Sequence, residues 1–219
     1  MTELTPTTDA YLALWDWRRT VFDAYRRVRD QPDNPIGAWY GWRKARLALF
    51  NNHPQSPFRT ARRETPVALP FFDYDADLRF AVALMSPADD TPLLVPAGDD
   101  GTISLRPFAM TDGLSGRLGQ ELTLYWIELY GGGVFLPFGD PTNRQETYGG
   151  GRYLLDTIKG ADLGTDAAGR VILDFNFAYN PSCAYSDAYI CPLAPEANRL
   201  PVAVRAGEKA PLSIASTGP

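Results

Sequence analysis

The strongest strand signal in the chain is the stretch VILDFNFAYN at residues 171–180. Apolar or aromatic side chains recur at every second position, which is the period of a strand with one buried face. The alternate positions include Asp174, Asn176 and Asn180, although asparagine is a poor strand former. We therefore predict a strand over the whole stretch and expect its asparagine amides to hold either a loop or a ligand.

Other short strand patterns lie on both sides of this stretch. Alternating or apolar runs occur at residues 79–84, 102–107, 122–130, 134–138 and 200–205. The chain also has 19 glycines and 19 prolines, which favour tight turns. Because no helices alternate with these strands, we predict a mainly β (α+β) fold. The expected architecture is an antiparallel β-barrel, or a half-barrel or sandwich, with an N-terminal helical arm.

The beginning of the chain has helical rather than strand periodicity. One helix is expected from Asp9 to about Asp30, and a second one from Trp39 to Phe50. Prolines between the two patterns separate them.

Charge divides the chain in the same way. Residues 1–63 contain 11 Lys and Arg against 6 Asp and Glu, whereas residues 64–219 contain 10 against 20. We predict that 1–63 is a basic helical arm, which docks on an acidic β-rich body at 64–219 to form one structural unit. Nucleic-acid binding is the alternative. It is disfavoured because the basic residues alternate with large apolar ones and match no nucleic-acid motif.

Composition also bears on location and on metal or thiol chemistry. No apolar run reaches the roughly 18 residues that cross a bilayer, and residues 1–9 lack the pattern of a secretory signal. We expect a cytoplasmic protein without a membrane partner, in which Cys183 and Cys191 are reduced thiols. A local disulfide between them is the alternative. His53 is the only histidine, so the pattern predicts no metal site and any cysteine–histidine mechanism must use it.

Several unusual blocks of residues follow one another in the second half of the chain. They are YGGGVFLPF at 130–138, ETYGGGRYL at 146–154, DFNFAYNPSCAY at 174–185 and CPLAP at 191–195. Together with FFDYD at 71–75, these blocks resemble the bacterial family known as domain of unknown function 1684. The resemblance covers most of the chain. It implies no established activity, so no catalytic residue can be transferred from it, and the cofactor stays unknown.

The candidate site residues follow from residue chemistry alone. Carboxylates act as general acids and bases when they are partly desolvated, so the catalytic candidates are Glu146, Asp156 and Asp174. Aromatic walls with a few polar groups are typical of small-molecule sites, so the ligand-binding candidates are Tyr125, Trp126, Tyr148, Arg152, Asn176 and Asn180. The alternative interpretation is that the polar members face water or hold loops.

Three functional hypotheses remain open at this point. The leading one is a small-molecule-binding β-barrel with an aromatic and polar pocket. The second is a metal-independent, hydrolase-like enzyme that uses a buried carboxylate as acid or base. The third is a structural or interaction protein whose arm serves homo-oligomerisation. The first two require Glu146, Arg152, Asp174 and Asn176 to converge on one cavity, and only the enzyme needs a carboxylate with a raised pKa there.

Overall fold

The computed structural model describes residues 7–58, 67–96, 98 and 101–211. Two long helices precede a seven-stranded sheet, and one helical turn interrupts it. The helices are α1 (Thr8–Arg29), α2 (Pro35–Asn52) and α3 (Ser115–Leu118). The strands are β1 (Arg79–Met85), β2 (Leu93–Pro96), β3 (Thr102–Asp112), β4 (Thr123–Ile127), β5 (Gly133–Phe138), β6 (Arg152–Asp156) and β7 (Val171–Asp174).

The sheet curls into a nearly closed antiparallel barrel. Its strand order is β6-β5-β4-β3-β1-β7, and β2 pairs with β3 beside this path. Tyr153 of β6 bridges Tyr179, which lies just beyond β7, through two backbone hydrogen bonds of 2.9 and 3.1 Å. This bridge joins the two ends of the strand order, so little unpaired edge remains. The predicted mainly β barrel with an N-terminal helical part is confirmed.

Both long helices begin earlier in the sequence than predicted. The Thr7 hydroxyl caps α1 by accepting a hydrogen bond from the Ala10 N–H at 3.3 Å. Asn34 caps α2, and Pro35 occupies the first turn, where its missing N–H costs nothing. Within the described residues, no helix has both the length and the apolar character that crossing a bilayer requires.

The two faces of the strands pack into different apolar clusters. Adjacent residues Leu124 and Tyr125 belong to different clusters, as the two-residue period of a strand requires. One cluster contains Leu124, Leu136, Phe138, Leu173 and Phe175. The other joins strands to helices and contains Tyr25, Trp39, Trp42, Tyr125, Phe135, Tyr153, Phe177 and Tyr179. The helices therefore share a core with the sheet.

The prediction of one strand over residues 171–180 is wrong in its second half. Strand β7 ends at Asp174, and Phe175–Phe177 form a 3-10 turn. The Asp174 carboxylate accepts hydrogen bonds from the Asn176 backbone N–H at 3.0 Å and from its side-chain amide at 2.8 Å. Such local bonds compete with a strand ladder. Because the period is broken, Phe175 and Phe177 lie in different clusters.

The strand predicted at residues 200–205 is also absent from this described segment. The Leu200 N–H donates to the Gly139 carbonyl, just after β5, at 2.8 Å, but the bonds near residue 204 go to side chains. The Val204 N–H donates to the Asp140 carboxylate at 3.1 Å, and the Val204 carbonyl accepts from Arg152 at 2.9 Å. These side-chain bonds anchor the segment and bury its apolar residues. A rule based on periodicity interprets the resulting apolar pattern as a strand.

Candidate functional site

A partly enclosed cavity lies between α1, α2 and the sheet. Its volume is about 70 Å³, and its mouth opens to solvent. Most of its wall is apolar or aromatic, formed by Trp17, Val21, Ala24, Tyr25, Trp42, Leu49, Phe50, Tyr153, Ala161, Tyr179 and Pro181. Besides its tyrosines, the polar lining residues are Arg46, Lys159, Asn180 and Ser182. A mainly aromatic wall with a few polar groups is the usual composition of a small-molecule site.

Two buried polar atoms of this wall have no hydrogen-bond partner among the described groups. They are the Tyr25 hydroxyl and the Asn180 Oδ1. Burial raises the pKa of Tyr25 well above its ordinary value, and the Arg46 charge and the Trp42 indole offset only part of that rise. The Trp42 indole is close to the hydroxyl but does not have hydrogen-bonding geometry with it. The hydroxyl is therefore neutral. A buried polar atom without a partner costs about 1–3 kcal/mol, so two in one cavity call for an explanation.

The Asn180 side chain is held in place by its other polar groups. Its Nδ2 donates to the Lys209 carbonyl at 2.8 Å, and its backbone N–H donates to the Glu208 carboxylate at 2.7 Å. The orientation of the amide is fixed by these bonds, which leave Oδ1 without a partner.

Arg46 brings a charge to the cavity, but this charge is already paired. Its guanidinium donates to both carboxylate oxygens of Glu208, at 2.8 and 3.0 Å. It also stacks over the rings of Phe50 and Tyr179, with its Cζ 4.5 and 5.0 Å from their centroids. Burial opposes the charge, yet Glu208 raises the pKa of Arg46 above its ordinary value. The pair adds little net charge to the cavity.

Lys159 is similarly paired. Its Nζ lies 3.1 Å from a carboxylate oxygen of Asp156, and 59% of its side chain is exposed. Although partial burial opposes the ammonium charge, Asp156 raises the pKa of Lys159. Asp156 is itself buried and does not line the cavity. Among the predicted site residues, Asn180 therefore lines the cavity, and Asp156 contacts the lining residue Lys159.

Arg152 occupies a different buried cluster. Its guanidinium pairs with Asp140 at 2.8 Å and donates to the carbonyls of Val204 and Ala206. Neither Arg152 nor Asp140 has any side-chain exposure. These bonds fix the chain near residue 204 to the start of β6, so this arginine has a structural role.

Asp174 and Asn176 form a third cluster. The Asn176 amide bonds to both the N–H and the carbonyl of Asp75, at 2.8 and 2.7 Å. Asp174 accepts from the Tyr74 hydroxyl at 3.0 Å and lies 3.6 Å from Arg79. Burial raises the pKa of Asp174 despite these partners. It lines an open groove beside the turn between α1 and α2, not the aromatic cavity.

The remaining candidates are also dispersed. Glu146 pairs with Arg205 at 2.9 Å near the surface. Tyr125 is buried in the cluster below the helices, whereas Trp126 is 41% exposed. The Tyr148 hydroxyl points to the sulfur of Cys183. The convergence of Glu146, Arg152, Asp174 and Asn176 that we required from the sequence is therefore not found.

The hydrogen bonds of the described residues do not join the thiols to the histidine. Cys183 and Cys191 are both free thiols, and the His53 ring contacts Asp16 at 3.3 Å. In the described part of the chain, no three His, Cys, Asp or Glu side chains are grouped so as to hold a metal ion.

Sequence reasoning missed most of the residues that build the cavity. Tyr25 lies within the helical pattern of residues 9–30, and nothing in that pattern shows that it lines a cavity. Arg46 and Glu208 both lie among other charged residues, in WRKARLALF at 42–50 and VRAGEKAP at 204–211. Nothing local therefore marks these two as a buried pair, although a buried charge needs a partner.

A comparison with protein families identifies the family of this chain. A family model described as "Protein of unknown function (DUF1684)" matches residues 67–209. Five chains among the solved structures match. One is the solution NMR structure of an uncharacterized protein from Haloarcula marismortui, with 31% identity and a TM-score of 0.53 over 83% of this chain and 97% of that one. No curated protein matches the chain. Because the family model spans well over half of the sequence, the chain belongs to the DUF1684 family of proteins of unknown function.

Proposed function

We propose that this protein binds a small, uncharged organic molecule in the cavity between α1, α2 and the sheet. One observation carries the proposal: Tyr25 and Asn180 both line this aromatic cavity, and the Tyr25 hydroxyl and the Asn180 Oδ1 are buried without a hydrogen-bond partner among the described groups. A ligand that bonds to both atoms would remove two desolvation penalties at once.

The polar groups of the wall define the chemical class of this ligand. Asn180 Oδ1 only accepts, so the ligand carries at least one hydrogen-bond donor. The Tyr25 hydroxyl both donates and accepts, and it therefore suits an alcohol or an amide. Trp42 and the other rings favour an apolar or aromatic body. Since Arg46 is paired with Glu208, no unpaired charge there favours an ionic ligand.

The same wall favours binding over catalysis. The described lining residues include no carboxylate, thiol or imidazole that could transfer a proton. Ser182 supplies a hydroxyl, but His53, which would have to act as its base, contacts Asp16 instead. The raised pKa of Asp174 belongs to a different groove, where Tyr74 and Asn176 already satisfy the carboxylate. The second hypothesis, which needs a carboxylate as acid or base, therefore finds none among the described lining residues.

The test uses two probes that differ by one hydroxyl, benzyl alcohol and toluene. Each is titrated into the protein and followed by NMR chemical shifts of the backbone amides around Tyr25 and Asn180. We expect benzyl alcohol to bind about 5-fold more tightly than toluene, because one buried hydrogen bond contributes about 1 kcal/mol. Tyr25→Phe should reduce that preference without affecting toluene.

Two further variants serve as controls. Tyr40→Phe removes a hydroxyl from an exposed tyrosine of α2 and should leave both affinities unchanged. Val21→Phe adds bulk at the cavity wall and should weaken both probes together. Equal affinities of benzyl alcohol and toluene, or identical titrations in wild type and Val21→Phe, would refute binding at this cavity.

A further inference from the structure

The open groove beside the turn between α1 and α2 is larger than the aromatic cavity. Its volume is about 400 Å³, and ligand pockets usually measure about 300–1,000 Å³. None of its described lining residues also lines the cavity, so the two hollows are separate. Much of the wall of the groove is apolar, formed by residues that include Val28, Ala81, Leu163, Ile172 and Phe177.

Three arginines line this groove, whereas its described wall contains two carboxylates. Arg170 is paired with Asp166, because two of its nitrogens lie 2.7 and 2.8 Å from one carboxylate oxygen. Arg29 and Arg79 then have a single carboxylate between them, that of Asp174. Among the described lining residues, positive charge therefore exceeds negative charge by one.

Arg79 is paired with Asp174 by charge but not by a hydrogen bond. Its Nε lies 3.6 Å from Asp174 Oδ2, whereas a hydrogen bond between such groups measures about 2.7–3.2 Å. The Asp174 oxygens already accept from the Tyr74 hydroxyl and from the backbone and side-chain N–H groups of Asn176. Within the described residues, no group accepts a hydrogen bond from the Arg79 guanidinium, and 32% of its side chain is exposed. Its N–H donors are therefore available to a ligand.

Arg29 is held in the groove by a neutral group. Its Nη1 donates to the Asp162 carbonyl at 2.6 Å, and its Cδ packs so closely on Gly164 that a Cβ there would lie 3.1 Å away. A bond to a carbonyl orients a guanidinium but does not neutralise it, since arginine stays protonated. In the part of the chain that the structure describes, no carboxylate forms an ion pair with Arg29, so its charge has no anionic partner.

We propose that this groove binds a small organic anion, which consists of a carboxylate on an apolar body. The planar fork of the Arg79 guanidinium matches a carboxylate through two parallel hydrogen bonds. The charge of Arg29 attracts the same anion, and the apolar wall covers its body. A single excess charge beside an apolar wall suits a monoanion better than a phosphate. This site goes beyond the proposed function, because the aromatic cavity favours an uncharged ligand.

The test compares two probes of similar shape, benzoate and benzamide, of which only benzoate is charged. Each is titrated into the full-length protein at constant ionic strength, and NMR follows the backbone amides of Ala81 and Ile172 in the groove. We expect benzoate to bind at least about 10-fold more tightly than benzamide, because hydrogen bonds between charged partners are the stronger ones. Inorganic phosphate should bind more weakly than benzoate, since it has no apolar body.

Two lysine variants show whether the arginine fork in the groove carries the preference. Arg79→Lys keeps the charge beside Asp174 but loses the fork, so benzoate should bind about 5-fold more weakly while benzamide is unaffected. Arg106→Lys is the matched control, because Arg106 pairs with Glu128 away from the groove and should leave both affinities unchanged.

The comparison of the two probes in wild type requires no variant to fold. Equal affinities of benzoate and benzamide, tighter binding of phosphate than of benzoate, or equal effects of Arg79→Lys and Arg106→Lys would overturn the proposal. The reporting amides belong to the groove, so these outcomes do not depend on whether the cavity binds its own ligand.

Discussion

Two buried polar regions of this protein differ in how completely their hydrogen bonds are made. Arg152 donates from both terminal nitrogens to the Asp140 carboxylate and to three backbone carbonyls, and only its Nε lacks a partner among the described groups. In the cavity, the Tyr25 hydroxyl and the Asn180 Oδ1 have none. Burial alone therefore does not distinguish a structural polar group from a binding one. The distinction lies in the partners that the folded chain supplies.

Asp140 explains why the first region is structural. Its carboxylate accepts from the N–H groups of Thr142 and Val204, at 2.9 and 3.1 Å, while it pairs with Arg152. The Asp140 side chain thus ties the turn at Thr142 and the segment near residue 204 to Arg152, at the start of β6. Every oxygen of this carboxylate is used, so no ligand is needed to complete the cluster.

The largest effect is expected from Asp140→Ala. The substitution leaves the buried Arg152 charge without its partner, which typically costs about 3–5 kcal/mol. The free energy of unfolding, measured by urea denaturation, should fall by that amount. The protein should still fold at low temperature, since both apolar clusters are intact.

Glu146→Ala is the matched control, because it also breaks a carboxylate–arginine pair. That pair is solvent-exposed, so its loss should cost less than about 1 kcal/mol. If Asp140→Ala costs no more than Glu146→Ala, the Arg152 cluster does not hold the fold together and the contrast with the cavity fails.

A second, smaller effect concerns Glu121, another carboxylate with many donors. Burial opposes its ionisation, but the Thr111 hydroxyl and the backbone N–H groups of Ser115, Leu114 and Gly113 lower the pKa of Glu121 to about 2. A depressed pKa in the folded state stabilises the protein above the unfolded pKa, and this stability is lost as the pH falls through the folded value.

For Glu121 the window runs from the ordinary value of 4.5 down to about 2. We expect about 2 kcal/mol of stability to disappear across it, after allowance for partial exposure. Urea midpoints at successive pH values should show a shallower acid loss for Glu121→Gln than for wild type. Glu196→Gln, which changes an exposed carboxylate, should follow the wild-type curve. Parallel curves for wild type and Glu121→Gln would contradict the assignment.

The sequence predicted the barrel and its helical part because period-two alternation survives wherever a backbone ladder forms, as in β1 and β3. It failed beyond Asp174 because that side chain outcompetes the ladder for the Asn176 N–H. The prediction that asparagine amides hold a loop does describe Asn176. The cavity could not be predicted from the sequence, since Tyr25 and Asn180 line one cavity only when the helices dock on the sheet. Nothing local shows that their polar atoms lack partners.

The smallest expected effect tests that missing partner directly. In the ligand-free protein, Tyr25→Phe removes a buried hydroxyl that has no hydrogen bond, so it should raise the free energy of unfolding by about 1 kcal/mol. Most substitutions in a core have the opposite sign. Thermal and urea unfolding of Tyr25→Phe should both report the gain, while exposed Tyr40→Phe should stay within about 0.5 kcal/mol of wild type. A loss of stability in Tyr25→Phe would mean that the fold itself uses the hydroxyl. Tyr25 would then be a structural residue like Arg152, and its hydroxyl would no longer support ligand binding in the cavity.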